Sequence, residues 1–286
     1  MEAAGQMKII VGIKQEIRAS AVAAVLVLSN SALAAVQPES GLGLPRDASQ
    51  NGHLVDWLMN ITSVFNIILF TIMCVWMGWA CLKHNRNHPA EYDYGSSKHS
   101  VTIALAVSAF IFAIVDGNLF VNSINDLDRE YWNFEKVAAN PKTVRLEINA
   151  HQWAWDARYA GPDGKFNTED DIVTWNEIKV PVGAPIYVEL TSTDVIHSFY
   201  LPNFRAKMDA IPGQVNRFWF QAKETGDYDI GCAQHCGTHH YKMKALLSVV
   251  SPEEYKTWAA EASALAKRAF DPEDTAAHWG WDWKEL

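Results

Sequence analysis

The segment 231–245, GCAQHCGTHHYKMKA, gathers two cysteines, three histidines and a methionine within fifteen residues. Thiolates, imidazoles and thioethers all bind soft metal ions, and their combination in one short segment could support metal or redox chemistry. Three arrangements fit Cys232 and Cys236, namely a disulfide, a zinc site and a copper site. The segment alone leaves all three open.

The residues that follow the cysteines favour copper. Met243 comes three residues after His240, and a thioether is a poor ligand for zinc but a good one for copper. A single-copper electron-transfer site uses two histidines, one cysteine and a weak axial methionine. This chain has a further cysteine, and two thiolates can bridge two metal ions. A second imidazole is expected from another loop, and His197, at the end of a predicted strand, can supply it.

Short strands are the elements that must position these side chains. Val144, Leu146 and Ile148 alternate with polar residues, which is typical of a half-buried strand. The segments APIYVELTST, NRFWFQA and KALLSVVS are rich in β-forming residues, and VPVGAP and KETGDYD supply turns between or beside them. Several short strands with intervening turns predict a sandwich or a barrel.

One helix is predicted to close this β domain. Ser251 and Glu254 form a capping box, and Pro252 occupies the first helical position. Apolar residues then recur at helical spacing and give a face that can pack on the domain: Tyr255, Trp258, Ala262, Leu265 and Ala269. The Trp-rich tail HWGWDWKEL fits either an edge that docks on a partner subunit or a loosely packed end.

The N-terminal part of the chain predicts export and anchoring in a membrane. Residues 1–35 combine basic residues, a short apolar run and an Ala-x-Ala site, as an export signal does. Segments 54–82 and 101–121 are each apolar and long enough to span a bilayer. The loop between them carries Lys83, Arg86 and Lys98, so it is expected in the cytoplasm, with both flanks outside. Cys74 and Cys81 lie within the first span, where we expect them to behave as small apolar residues.

These patterns divide the chain into five parts. We expect an export signal at 1–35, an exported N-terminal segment at 36–53, a transmembrane hairpin at 54–122, a β domain at 123–250, and a C-terminal helix and tail at 251–286.

The part of the chain after the second span is acidic. Residues 123–286 contain 17 Lys and Arg against 25 Asp and Glu, a balance of −8 out of the whole chain's −9. This balance argues against binding to nucleic acid or to an anionic lipid surface, and it suits a basic protein partner. Acidity also serves solubility alone, so charge by itself does not identify the partner.

Three motifs together resemble subunit II of the haem-copper cytochrome c oxidases. They are HQWAW at 151–155, HSFYLP followed by KMDAIPG, and Cys-x3-Cys-Gly-x2-His-x2-Met, in that order after a two-helix anchor. The resemblance covers roughly residues 50 to 250. It implies an all-β, cupredoxin-like domain, a Greek-key barrel or sandwich, on the periplasmic side of a bacterial plasma membrane. It also implies that this domain holds a binuclear copper centre, CuA.

The resemblance further implies a place in respiration. The copper centre would accept electrons from cytochrome c and pass them to haem a, and then to the haem a3–CuB site of the catalytic subunit I. There oxygen would be reduced to water while protons are pumped. The partners implied are the catalytic subunit, further oxidase subunits and a cytochrome. Because the chain contains no Cys-x-x-Cys-His haem-attachment sequence, the cytochrome has to be a separate protein or subunit.

By the same resemblance, six residues supply the copper ligands. They are the imidazoles of His197 and His240, the bridging thiolates of Cys232 and Cys236, the thioether of Met243 and the main-chain carbonyl of Gln234. Trp153 resembles the tryptophan through which electrons enter, and Asp156 is the nearest carboxylate that could help to dock a basic cytochrome. His235 and His239 fall outside the motif positions.

Three positions depart from the family pattern, and one of them is Ala154, which stands where an aromatic residue often lies beside the entry tryptophan. The family commonly has Glu where this chain has Gln234, and that carboxylate helps to bind Mg²⁺ at the interface with the catalytic subunit. An amide is a weaker ligand for a hard cation, which weakens the case for Mg²⁺ here. Ser100 stands where a Glu is associated with proton uptake, so His99 or Lys98 would have to substitute, or the path differs.

Two further alternatives stay open. The acidic loop GPDGKFNTEDD at 161–171 could bind Ca²⁺, although a solvated hairpin loop is the commoner role of such a sequence. A membrane-tethered, exported copper carrier or assembly protein is the rival to the oxidase function. The second cysteine, the distant His197 and the two-helix anchor favour the oxidase.

Overall fold

A computed structural model of the protein describes residues 44–84, 86–89, 92, 94–270 and 273. The chain divides into two compact units, Met1–Arg46 and Asp47–Leu286, and only residues 44–46 of the first unit are described. The predicted export signal and the Trp-rich tail lie outside the described residues.

Two long helical segments form the anchor, and both are apolar and long enough to cross a membrane. The first, with 32 residues, is about 48 Å long at 1.5 Å per residue, well above the bilayer's hydrocarbon core of about 30 Å. Both continue beyond the predicted spans. The elements are α1 Gly52–Lys83, α2 Lys98–Phe110, a π-helical turn Ile111–Asp116, α3 Gly117–Asp126, a second π-helical turn Leu127–Tyr131, and α4 Phe134–Ala138.

The described part of the outer domain contains ten strands in two five-stranded sheets. Their order is β3-β2-β1-β5-β8 in one sheet and β4-β10-β9-β6-β7 in the other. Such a two-sheet structure with a two-helix anchor confirms the predicted cupredoxin-like fold class. The strands are β1 Val144–His151, β2 Ala154–Tyr159, β3 Ile172–Trp175, β4 Glu177–Pro181, β5 Pro185–Ser192, β6 His197–Leu201, β7 Ala206–Ala210, β8 Asn216–Gln221, β9 Gly226–Cys232 and β10 Lys244–Val250.

The core lies between the two sheets. Leu146 and Ile148 of β1 are buried, as the alternation in the sequence predicts. The prediction of a half-buried strand was wrong, because the polar residues Glu147 and Asn149 are buried as well. Trp155 of β2 and Phe199 of β6 meet edge to face, with ring centroids 5.1 Å apart, and both are buried. Because β6 begins at His197, this packing also supports one wall of the cysteine-rich site.

Helix α5, Pro252–Ala269, closes the domain, and the hydroxyl of Ser251 caps it by accepting the backbone N–H of Glu254 at 3.2 Å. Trp258 packs on the buried Tyr159, with ring centroids 5.2 Å apart. The predicted packing face was wrong for Leu265, which is 60% exposed, whereas Ser263 is buried. Tyr255, Trp258 and Ala262 of the predicted face do pack against the core, whereas Leu265 and Ala269 are exposed, so the prediction holds for the first part of the helix.

The acidic loop 161–171 uses its carboxylates within its own structure. Each of three carboxylates accepts a hydrogen bond from a backbone N–H or a hydroxyl of the same loop: Asp163, Asp170 and Asp171. The buried Arg158 donates to the side chain of Asn167 at 2.6 Å and forms an ion pair with the buried Glu147. The carboxylates of Asp163, Asp170 and Asp171 therefore stabilise the loop by hydrogen bonds, as expected of a hairpin loop.

Candidate metal centre

Three connections of the β domain meet at one end of the sandwich. The loop 233–243 joins β9 to β10, the turn 152–153 joins β1 to β2, and the loop 193–196 leads into β6. Strand β6 pairs with β9, with Phe199 opposite Cys232, so the first residue of β6 lies beside the cysteine-rich loop. The pairing of two strands far apart in the sequence therefore brings His197 to the cysteines.

Among the described residues, one group of His, Cys and acidic side chains could hold a metal ion. It consists of His197, Cys232 and Cys236, whose ligand atoms all lie within 4.8 Å of one another. The two Sγ atoms are 3.7 Å apart and both thiols are free. A disulfide has a length of about 2.05 Å, so the structure holds two separate sulfur ligands.

The other predicted ligands surround Cys236 and Cys232. The Nδ1 atom of His240 lies 3.5 Å from the Sγ of Cys236, and the Sδ of Met243 lies 3.7 Å from the same sulfur. The main-chain carbonyl of Gln234 accepts a hydrogen bond from Cys232 Sγ at 3.1 Å, while the Gln234 side chain is exposed. The loop thus presents two sulfurs, a thioether, an imidazole and a carbonyl to one small volume.

His197 is fully buried, and its two ring nitrogens have different partners. Nδ1 lies 3.1 Å from the Sδ of Met243, on the side of the sulfurs, and Nε2 lies 2.8 Å from Oδ1 of Asp194. A carboxylate that accepts one N–H of a histidine fixes which nitrogen faces a metal. Asp194 is a functional residue that the sequence reasoning missed. Its position three residues before a candidate ligand was the available signal.

The electrostatics distinguish the two cysteines. Burial acts to raise the pKa of the Cys232 thiol, but interactions with His197 and with the backbone of Ser198 and Gln234 outweigh this effect and lower the pKa to about 6. Burial and the neighbouring Cys232 raise the pKa of Cys236 to about 12. Because the thiolate is the form that binds a metal, Cys232 is the readier ligand, and a cation is needed to favour the second thiolate.

Trp153 lies against the cysteine-rich loop from the β1–β2 turn. Its indole Nε1 donates to the carbonyl of Cys236 at 3.2 Å, and Gln152 Nε2 donates to the same carbonyl at 2.8 Å. The Trp153 ring is half-buried and meets the ring of His239 edge to face at 4.5 Å. His239, which has no role in the predicted ligand set, therefore packs on the tryptophan. Asp156, the carboxylate predicted to help to dock a basic cytochrome, lies 3.1 Å from Nε2 of His151.

The donor set fits a soft metal. Its closest members are sulfur and imidazole nitrogen. Among the residues that the structure describes, the carboxylate in contact with the site is that of Asp194, which is hydrogen-bonded to His197 instead of facing the sulfurs. Hard cations such as Mg²⁺ and Ca²⁺ prefer oxygen ligands, and a thioether is a poor ligand for zinc. Met243 is buried and touches both His197 and Cys236. The residues present therefore suit copper, and the two thiols lie close enough together for both to bind the same copper ion.

The chain matches known proteins over both the anchor and the outer domain. Residues 144–250 match the family described as "Cytochrome C oxidase subunit II, periplasmic domain". The "Alternative cytochrome c oxidase subunit 2" of Bradyrhizobium diazoefficiens is 30% identical over 240 residues, which is 76% of this chain and 83% of the relative. The "Cytochrome c oxidase subunit 2" of Thermostichus vulcanus is 36% identical over 121 residues, 42% of this chain and 34% of that protein.

A solved structure is also similar to the outer domain. It is the periplasmic domain of subunit II of a cytochrome oxidase from Bradyrhizobium japonicum, 32% identical, with a TM-score of 0.39. The match covers 43% of this chain and 94% of that domain.

Proposed function

Because the chain belongs to the cytochrome c oxidase subunit II family, we propose that its outer domain holds a binuclear copper centre that relays electrons one at a time. Members of this family are subunits of haem-copper terminal oxidases, so the chain is part of an oxidoreductase. It is anchored in a membrane and carries its β domain on the exterior side.

The observation that carries the proposal is the convergence of the ligand side chains. Cys232 and Cys236 present separate sulfurs 3.7 Å apart, and His240 and Met243 both lie against Cys236. His197 approaches the same volume from another strand. A mononuclear site needs one thiolate, so a second, buried thiolate at this distance supports a shared pair of metal ions.

Each residue has a task in this proposal. Cys232 and Cys236 would supply the thiolates, His197 and His240 an imidazole each, and the thioether of Met243 and the carbonyl of Gln234 would complete the set. Asp194 holds the His197 ring in place. When bound, the copper pair supplies a one-electron acceptor whose charge is shared between two metal ions. The buried strands on either side keep the ligands from moving when that charge changes.

The partners of this relay follow from the same proposal. The donor is a c-type cytochrome that docks near Trp153, and the acceptor is haem a in the catalytic subunit I. Electrons then reach the haem a3–CuB site of that subunit, where oxygen is reduced to water and protons are pumped. The membrane is the bacterial plasma membrane, with the copper domain on its periplasmic side. The exposed amide of Gln234 does not support a Mg²⁺ site.

The proposal is tested by copper content and electron paramagnetic resonance of the purified oxidase. The wild type should hold two coppers in the outer domain of this subunit and show one unpaired electron shared between both nuclei. Cys236→Ser should abolish that shared signal and the reduction of haem by cytochrome c. Cys74→Ser is the matched control, because Cys74 is a free, exposed thiol of the anchor helix and should leave both unchanged.

Two results would overturn the assignment. One is normal turnover with cytochrome c in Cys236→Ser. The other is uptake of a single, colourless Cu(I) by the wild-type subunit, which would favour the copper carrier over the electron relay.

A further inference from the structure

A buried ion pair joins the membrane anchor to the β domain. Arg205 lies in the turn between β6 and β7, and its Nε and Nη2 donate to the two carboxylate oxygens of Asp56 at 2.6 and 2.9 Å. Asp56 belongs to the second turn of α1 and is only 8% exposed. A two-pronged contact between a guanidinium and a carboxylate fixes direction as well as distance. The pair therefore holds the helix and the hairpin in one relative orientation.

The backbone at Arg205 is in a conformation that glycine adopts more easily. Its φ is 54°, in the left-handed region, and the side chain also donates from Nη1 to the carbonyl of Pro202 at 2.7 Å. An arginine here accepts a backbone penalty that a glycine would avoid. The contacts of its side chain with the turn and with Asp56 explain why an arginine occupies this position instead of a glycine.

The hairpin that carries Arg205 also carries a proposed copper ligand. Strand β6 begins at His197, which pairs with Ala210 at the open end of the β6–β7 hairpin, and Leu201 pairs with Ala206 at the closed end. Arg205 lies at the closed end, so the ion pair and His197 stand at opposite ends of one strand, roughly 13 Å apart at 3.3 Å per residue. Phe199 and Leu201 bury the strand between them. Movement at the ion pair would be transmitted to the ligand.

The anchor reaches the domain as a helix and not as a loose linker. With about 30 Å of α1 inside the hydrocarbon core, about 18 Å of the helix is left to extend beyond the membrane. The segment just before α1 is tied to the same turn, because the backbone N–H of Ala48 donates to the carbonyl of Asn203 at 2.8 Å. Tyr131, at the outer end of the second helical segment, donates to the carbonyl of Asn51 at 3.1 Å.

We propose that Arg205 and Asp56 form a clamp that fixes the height and tilt of the copper site over the membrane, and so the distance to the electron acceptor in the catalytic subunit. The inference rests on the copper relay proposed above. Neither residue touches a predicted ligand, so both are positioning residues. Because electron transfer slows steeply with distance, a small displacement of the domain is enough to affect the rate.

The test uses three variants in the assembled oxidase. Asp56→Asn keeps the shape of the side chain and removes its charge, and Arg205→Gly removes the guanidinium while relieving the backbone at φ 54°. The third variant combines both changes. We expect an unchanged copper spectrum and electron transfer from copper to haem slowed severalfold, because the rate of electron tunnelling falls exponentially with the distance between donor and acceptor. The double variant should be no slower than the slower single one, because each change breaks the same contact.

A second measurement does not depend on copper. Hydrogen–deuterium exchange of the metal-free oxidase should speed up at residues 52–57 and 202–206 in each variant. Lys223→Gln is the matched control, because Lys223 forms a 2.9 Å pair with Asp47, ahead of α1, and should change neither rate. Wild-type electron transfer in Asp56→Asn and Arg205→Gly, or an altered copper spectrum, would overturn the clamp. A wild-type oxidase without the copper pair would overturn the relay instead, and the exchange data would still report on the contact.

Discussion

Trp153 is joined to the cysteine-rich loop through one carbonyl group. The carbonyl belongs to Cys236, whose sulfur lies inside the proposed copper site, and it accepts hydrogen bonds from both Trp153 and Gln152. The indole is half-buried, so one part of it faces the site and another faces solvent. A single aromatic side chain thus connects a surface that a cytochrome can reach with a residue that binds metal in our proposal.

Trp153→Phe should slow electron acceptance from the cytochrome and leave the copper spectrum intact. Phenylalanine keeps an aromatic ring but loses the N–H that donates to Cys236, so we expect a rate lower by roughly tenfold, or about 1.4 kcal/mol in the barrier. Stopped-flow reduction by a c-type cytochrome measures this rate. Trp175→Phe serves as the control, since Trp175 is exposed on the edge strand β3. Equal rates for wild type and Trp153→Phe would remove Trp153 from the route.

At this scale the sequence could predict which residues converge, but not how they are held. Cys232, Cys236, His240 and Met243 lie within one loop, so their spacing alone brings them close together. The role of Asp194 could not be foreseen, because it depends on which ring nitrogen of His197 faces the sulfurs. That orientation is set by packing between strands, which local spacing does not record.

At the scale of elements, the β1–β2 turn and the cysteine-rich loop approach each other at a glycine. Gly237 follows Cys236 and has a φ of 113°, and a Cβ there would lie 2.9 Å from Gln152 Nε2 and 3.4 Å from the ring of Trp153. Strand alternation and β-rich composition predicted β1, β5, β8 and β10, but not the other described strands or the β1–β2 turn. The parallel pairs β1–β5 and β4–β10 could not be predicted, because pairing between distant strands leaves no local pattern. Both helical segments also extend further outside the membrane than predicted, because hydropathy indicates which residues contact lipid and not where a helix ends.

Gly237→Ala should damage the copper site, whereas Gly213→Ala should only lower stability. Both glycines have a positive φ, so each alanine should cost about 1 to 2 kcal/mol of unfolding free energy. Nothing lies within 4 Å of a Cβ at Gly213, but at Gly237 the turn with Trp153 has to move away. Thermal unfolding should show a loss in both variants, and copper content and the copper spectrum should change in Gly237→Ala alone. Identical copper content and spectra in the two variants would contradict the close approach.

At the scale of the whole molecule, an acidic domain stands on a helical anchor outside the membrane. Residues 123–286 carry 25 acidic against 17 basic side chains, and some of the acids are internal, such as Glu147 in its buried ion pair with Arg158. Each ion pair removes one negative and one positive charge, so the net negative charge of the domain is unchanged by them. Its field should therefore act on any charged partner that approaches the exterior face.

A basic c-type cytochrome should reduce the oxidase faster at low salt. Raising the ionic strength from 0.01 to 0.15 M shortens the screening length from about 30 Å to about 8 Å, so we expect the second-order rate constant to fall by roughly tenfold or more. An acidic cytochrome should show the opposite trend, and a small neutral reductant should show none. Stopped-flow reduction across this range of salt measures all three. A rate constant for the basic cytochrome that does not change with salt would show that the acidic domain does not steer its donor, and the charge balance would then reflect solubility alone.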